Sequence, residues 1–252
     1  MPNIRITPVN AFNDNYIWVV IYEQQAVCID PGEAAPVLHF LKENGLSLTQ
    51  IWITHHHRDH TGGIAELKQA FPVCKVYGNR DIQEADEYVR DGSILTFGGY
   101  EAEVWETPGH TDTHIGYLLK LSDGLHVFCG DTLFSAGCGR VFTGTAEQMF
   151  TSLQRYNSLP PETLFYPAHE YTASNLRFAA RVEPDNADVV AALAEADNIP
   201  TLPVTLAHER KVNPFLRTDR ADIIANVADW YGQPLNSEVE VFAAMREMKN
   251  KS

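Results

Sequence analysis

Basic residues are scarce in this 252-residue chain. Only 19 Lys and Arg stand against 33 Asp and Glu, for a formal net charge of −14. A field of that sign repels nucleic acid and anionic membrane, so neither is an expected partner, and an anionic ligand needs a local basic cluster. Cysteine is scarce too. Cys28, Cys74, Cys129 and Cys138 form no CxxC pair and no zinc-finger spacing, which argues against a disulfide scaffold. Cys28 and Cys129 lie inside apolar runs as small buried hydrophobes, and a reduced, cytoplasmic compartment is expected. No apolar run approaches the roughly 20 residues that span a bilayer. Met1-Pro2-Asn3-Ile4-Arg5 carries no basic stretch followed by an apolar core, so no signal peptide is expected. Repeats and low-complexity tracts are also missing. What remains, 44% hydrophobic and 21% charged, suits a globular chain of one large domain, or one with a smaller companion.

Apolar patterning reads as strands over residues 4–9, 16–22 and 26–29, followed by a helix over 36–44 that Gly45 stops. A strand at 50–54, a helix at 63–70, a strand at 75–78 and a short helix at 81–88 come next. Two hairpins follow: 93–97 with 101–106 across Gly98-Gly99, and 115–121 with 125–129 across Ser122-Asp123-Gly124. Thr145 caps a helix over 146–158, with Glu147 in its first turn, and 164–166 is a short buried strand. The texture then changes to helix, over 172–198 and 219–249, with a Pro-containing linker over 200–215. The domain boundary falls near residue 168. Strands with interleaved helices predict two mixed sheets with helices outside, an α+β arrangement.

One stretch holds most of the chemistry: Thr54-His55-His56-His57-Arg58-Asp59-His60-Thr61-Gly62-Gly63, at the end of the strand Ile51-Trp52-Ile53. On extended chain His55 and His57 point the same way and His56 points elsewhere. Asp59 and His60 lie where the chain curls into a helix and can face a second point, so the cluster can serve two ions. A solvated polar loop is the plain alternative, and isolated histidines usually are that. Three further strand ends carry a His or Asp at the equivalent place: His110 after Glu106, Asp131 after Cys129, and His169 after Tyr166. Their repeated placement argues for convergence. His114, four residues past His110, can orient a ligand from behind it. Asp30 can do the same or merely cap the Asp-Pro-Gly turn. His39, His126 and His208 read as structural or solvated.

These residues resemble the metallo-β-lactamase superfamily, whose HxHxDH signature is read here as His55, His57, Asp59 and His60. Asn13-Asp14-Asn15-Tyr16, Thr107-Pro108-Gly109-His110-Thr111, Gly130-Asp131-Thr132-Leu133-Phe134, Ala136-Gly137-Cys138-Gly139-Arg140 and Ala168-His169-Glu170-Tyr171 look like glyoxalase II, the hydroxyacylglutathione hydrolases. Asn213-Pro214-Phe215-Leu216-Arg217 and the closing Arg246 and Lys249 match that family's C-terminal region. The resemblance implies an αββα sandwich over residues 1–167 and a smaller helical, glutathione-binding domain over 168–252. It implies two divalent metal ions, zinc first, with iron or manganese as alternatives. One takes His55, His57 and His110; the other takes Asp59, His60 and His169; Asp131 bridges them. Asp59 and Asp131 are the implied catalytic carboxylates, working with a hydroxide shared by the metals. Arg140, Phe142, Tyr171, Arg246 and Lys249 are the implied glutathione contacts. The chain departs from some members, which carry Lys in place of Arg140, Tyr in place of Phe142 and Gly in place of Thr113.

The implied substrate is a glutathione thioester, chiefly S-D-lactoylglutathione, cleaved by a monomeric enzyme. Its leaving thiol, with a pKa of about 8.5, needs little help from an acid, in keeping with the lack of any further acid among the motifs. Other enzymes of this fold are the alternative, such as a persulfide dioxygenase, a lactonase or a β-lactamase, as is a non-catalytic glutathione- or metal-binding protein.

Overall fold

The computed structural model describes residues 4–252. Two compact units make up the chain. The first runs to Glu106 and resumes from Thr113 to Gly130; the second comprises Thr107–Asp112 and Asp131–Ser252. Their border does not follow the change of texture near residue 168. The loop 107–112 is held by residues far downstream, as where the Ser152 hydroxyl donates to the Pro108 carbonyl at 2.7 Å.

In the first unit β1 (Arg5–Ala11), β2 (Asn15–Tyr22) and β3 (Gln25–Ile29) form an antiparallel meander. The β2 sequence NYIWVVIY is buried along all but its last residue, so both faces are covered and no polar alternation is needed. Helix α1 (Ala34–Asn44) then crosses over. Gly45 ends it in the left-handed region at φ 64°, with the Leu46 N–H closing back on Leu41 O at 2.9 Å. The crossover makes β4 (Ser47–Trp52) parallel to β3. Helices α2 (Arg58–Thr61) and α3 (Ile64–Ala70) lead to β5 (Lys75–Gly78), and β6 (Glu87–Tyr88) completes a sheet ordered β1 to β6. Val37 and Leu41 of α1 and Ile64 and Leu67 of α3 join one cluster with Ile17, Val19, Cys28 and Ile51 beneath them.

A second, antiparallel set follows: β7 (Ile94–Phe97), β8 (Tyr100–Glu106), β9 (Ile115–Leu121) and β10 (Gly124–Gly130). The two sheets of this unit meet at Trp52 and Tyr117, whose rings stack 5.2 Å apart. The Tyr117 hydroxyl donates to Ile53 O at 2.7 Å, so its polar tip is satisfied inside the core, while burial drives its pKa well above the ordinary value.

The second unit opens with a small hairpin, β11 (Leu133–Phe134) with β12 (Gly137–Cys138). Helix α4 (Ala146–Asn157) starts at a capping box in which Thr145 and Gln148 each bond the other's backbone N–H. Strand β13 (Leu164–Pro167) is followed by α5 (Thr172–Val182) and α6 (Ala187–Glu195), and β14 (Val204–Thr205) pairs with β13. Helices α7 (Leu206–Val212), α8 (Ala221–Tyr231) and α9 (Glu238–Asn250) close the chain.

Several sequence expectations need correction. Residues 81–88 are not a helix: they form turns and then β6, because the Asp86 carboxylate accepts the Val76 N–H of β5 at 2.9 Å and anchors this stretch beside that strand. The stretch 172–198 is two helices. Pro184 lacks an N–H to continue α5, and the Asn186 side chain caps α6 through Asp188 and Val189. Likewise 219–249 breaks at Gly232, in the left-handed region at φ 80°, and restarts where Ser237 caps α9. The linker 200–215 contains β14 and α7, so His208 lies on a helix.

One carboxylate organises the start of the second unit. Glu209 of α7 is fully buried and accepts three hydrogen bonds: Ser135 Oγ at 3.0 Å, the Ala136 N–H at 2.9 Å and Asn213 Nδ2 at 2.9 Å. The same Asn213 amide donates to Phe134 O and Gly137 O. The β11–β12 hairpin is thus pinned from below at its turn, where Ala136 sits at φ 55°.

Candidate metal centre

Two groups of imidazoles and carboxylates form, one in each unit. In the first unit, β3 and β4 are parallel neighbours that end side by side. Asp30 follows β3 and takes a left-handed φ of 52°. Its carboxylate accepts the Thr54 N–H and the Thr54 hydroxyl, both at 2.7 Å, so it is the clasp between the two strand ends. From there the chain runs His55, His56 and His57, with α2 starting at Arg58. His55 Nε2 and His57 Nδ1 lie 3.0 Å apart, while His56 turns away to the Asp81 carboxylate at 2.7 Å. His60 is buried with a carboxylate at each ring nitrogen: Asp30 Oδ2 lies 3.1 Å from Nδ1 and Asp59 Oδ2 lies 3.4 Å from Nε2. Asn15, at the start of β2, donates to Asp59 through Nδ2 at 3.4 Å to the carbonyl and 3.3 Å to the carboxylate. The His114 ring stacks on His55 at 5.0 Å.

In the second unit Asp131 stands between two imidazoles. Its Oδ2 is 3.4 Å from His110 Nε2, and its Oδ1 is 3.4 Å from His169 Nε2. The other nitrogen of His110 faces the Arg140 carbonyl at 2.7 Å. A carbonyl only accepts, so Nδ1 carries the proton and the neutral ring turns the lone pair of Nε2 toward Asp131. Lone pair then faces carboxylate. His60 meets the same condition in the first unit, because a neutral imidazole has one N–H and here has two carboxylates. A divalent cation between such groups satisfies nitrogen lone pair and carboxylate together. Nitrogen and carboxylate oxygen donors, buried except for the half-buried His57 and Asp59, form a set that zinc, iron or manganese accepts. The residues present therefore fit divalent metal.

Glycines keep the backbone close to both groups. A Cβ at Gly139 would lie 1.9 Å from Asp131 O and 3.1 Å from His110 Nδ1. At Gly130, φ is 49° and a Cβ would meet Thr54 Oγ1 at 2.4 Å and His114 Nε2 at 2.8 Å. Gly130→Ala should therefore lower stability by about 2–4 kcal/mol, from the left-handed backbone and the clash together. A melting temperature within a degree of the parent would refute this.

The expected glutathione contacts all lie in the second unit. Tyr171 stacks on His169, with centroids 4.7 Å apart and planes 8° apart, and Phe142 meets His110 edge-on at 5.2 Å. Both rings are partly exposed, and so is Arg140. Arg246 is buried instead of lying on a solvated helix face; its Nη1 donates to Cys138 O at 2.8 Å, and its guanidinium lies over the Phe215 ring. Lys249 donates to Ser174 O at 3.0 Å, and burial, with Arg246 nearby, brings its pKa down to about 8. Sequence reasoning assigned no role to Thr54 or Glu209. Thr54 was detectable as a polar residue closing an apolar strand. Glu209 gave no signal, since a helical glutamate is solvated by default.

The fold and these two groups define a metallohydrolase of the metallo-β-lactamase type, and the family model described as Metallo-beta-lactamase superfamily matches residues 11–169. A second model, Hydroxyacylglutathione hydrolase C-terminus, matches residues 170–252. A hydroxyacylglutathione hydrolase of Neisseria gonorrhoeae (strain NCCP11945) is 59% identical over 98% of this chain and 99% of its own length. Among solved structures, ETHE1 from Myxococcus xanthus superposes with a TM-score of 0.66 at 28% identity, covering 98% of this chain and 97% of its own. The TTHA1623 protein in a di-iron-bound form gives a TM-score of 0.62 at 25% identity, covering 83% of this chain and 100% of its own. The chain belongs to the hydroxyacylglutathione hydrolase family of the metallo-β-lactamase superfamily, with that superfamily's fold and a helical C-terminal part.

Proposed function

We propose that this protein hydrolyses S-(2-hydroxyacyl)glutathione thioesters, chiefly S-D-lactoylglutathione, to the 2-hydroxy acid and glutathione. This is the second step of methylglyoxal detoxification. The observation that carries the reading is Asp131, which offers one oxygen to His110 and the other to His169 at 3.4 Å each, as a carboxylate shared by two ligand sets would. Under this reading residues 1–167 form the catalytic domain and 168–252 the helical substrate domain. The enzyme works as a cytoplasmic monomer. No helix among the described residues is long and apolar enough to cross a membrane.

Two divalent ions would be held, zinc first, with iron or manganese as alternatives: His55, His57 and His110 would take one, Asp59, His60 and His169 the other, and Asp131 would be shared. The likeness to a di-iron-bound protein supports that count. Ions so held supply Lewis acidity and a water ionised near neutral pH, its pKa lowered from about 15.7 toward about 7.

The chain's own groups do the rest. Asp59 and Asp131 orient the attacking water, and the ties from Asn15 and Arg140 keep Asp59 and His110 in place. Water oxygen bonds to the thioester carbon, the C–S bond breaks, and its electron pair leaves on sulfur. One water proton is released on attack and the other from the acid product. A thiolate of pKa about 8.5 leaves without a dedicated acid. Arg140, Arg246 and Lys249 give the local positive charge that glutathione's two carboxylates need on an acidic protein, with Phe142 and Tyr171 as further glutathione contacts.

The deciding experiment is a thioesterase assay on S-D-lactoylglutathione with metal analysis of the same sample. Turnover with two ions per chain is expected. One iron per chain, with oxygen uptake and sulfite formation, would replace the reading with a persulfide dioxygenase. Lys249 adds a pH signature. It holds its charge below about 8 and loses it above. KM for the thioester should therefore rise several-fold as pH passes through that value, and Lys249→Arg should remove the rise. A KM unchanged over roughly pH 7 to 9 would show that the Lys249 charge does not bind substrate.

A further inference from the structure

The turn between β1 and β2 contains an anomaly. Its first residue, Phe12, sits in the left-handed region at φ 48° and is 53% exposed. A bulky aromatic residue gains nothing from either condition: the left-handed backbone costs roughly 1–2 kcal/mol for a residue with a Cβ, and an exposed ring forgoes its burial. Yet the conformation is held in place. The Phe12 N–H donates to the Glu33 carboxylate at 2.7 Å. Glu33 is the residue at the head of α1, and its side chain makes no hydrogen bond to its own helix. A helix-capping position is thus diverted to fix a strained turn.

The ring's position gives the reason. At Gly32 a Cβ would lie 1.9 Å from the Asp59 carbonyl oxygen and 2.7 Å from Phe12 Cε2. The edge of the Phe12 ring and the main chain of Asp59 therefore meet over one glycine. Three residues on, Asn15 bonds the Asp59 carbonyl and carboxylate. One short turn both secures Asp59 and stands an apolar ring beside it. Strain persists where the surrounding structure over-determines it, and it concentrates at ligand clamps.

We propose that Phe12 is a specificity-determining residue: its ring is the wall against which the acyl group of the thioester packs, and it limits the size of acyl group accepted. The assignment rests on the thioesterase reading and on Asp59 lying at the reacting end of the substrate.

The test compares S-D-lactoylglutathione with the bulkier S-mandeloylglutathione on the parent, Phe12→Gly and Phe12→Leu enzymes. Glycine suits a left-handed turn, so Phe12→Gly should melt at or above the parent temperature and keep its metal content. The ratio of kcat/KM for the mandeloyl over the lactoyl thioester should rise roughly tenfold in Phe12→Gly, and Phe12→Leu should stay near the parent ratio. A ratio within twofold of the parent in Phe12→Gly would overturn the proposal, as would a lowered melting temperature accompanied by equal loss on both substrates. If the parent turns over neither thioester, the thioesterase reading fails on its own. Kd values for the two thioesters, by titration calorimetry on parent and Phe12→Gly, then decide the wall by the same ratio.

Discussion

Asp131→Ala should emerge from purification with neither metal and with kcat/KM reduced by roughly a thousandfold or more, about 4 kcal/mol at 1.4 kcal/mol per decade. The reason is local. Each carboxylate oxygen serves a different imidazole, and Gly139 packs closely against the Asp131 main-chain carbonyl. Under the proposed two-ion site, removing the carboxylate would withdraw a donor from both ligand sets at once, and with it the negative charge that would offset two cations. Asp131→Asn should fail almost as badly, because it keeps shape and loses charge. Elemental analysis settles the point: two ions retained per chain in either variant would refute the bridging role, whatever the activity.

Glu209→Ala should have the largest effect on stability, about 3–5 kcal/mol. It leaves the Ser135 hydroxyl, the Ala136 N–H and one arm of Asn213 facing a void in the interior. At roughly 2–4 °C per kcal/mol for a chain of this size, the melting temperature should fall by about 10 °C or more. Calorimetry checks this, and a fall of only one or two degrees would mean that water replaces the carboxylate. Glu209 also carries a pH signature. Burial pushes its pKa from the ordinary 4.5 to about 7, against the pull of its three donors. The folded state then holds the proton more tightly than the unfolded chain. Its contribution is complete below 4.5 and is lost as pH rises through about 7. Glu209→Gln should flatten that part of the stability profile.

Much of the fold was legible because burial on both faces leaves a plain mark. The run at β2 and the strand leading to His55 are apolar without alternation, and each hairpin is announced by glycine or by Ser-Asp-Gly. Convergence of histidine and aspartate at strand ends was legible for the same reason, since a strand end fixes direction. Errors arose where one side chain overrides a local pattern. Asp86 binds the backbone of β5 and so replaces the expected helix at 81–88, and nothing in the order of residues announces that bond. Pro184 interrupts a stretch whose spacing is helical on both sides, and its missing N–H ends α5 there. Glu209 was out of reach altogether, because its partners are more than seventy residues away in the sequence.

All four cysteines are buried. Desolvation raises the Cys28 thiol well above its usual range, takes Cys74 up to about 12, and raises Cys138 despite the guanidinium of Arg246 beside it. The proposed product is itself a thiol, and its oxidised dimer is a disulfide able to exchange with protein thiols. Exchange with a disulfide requires an exposed thiolate. This chain presents none, so the enzyme can release glutathione continuously without being capped by it.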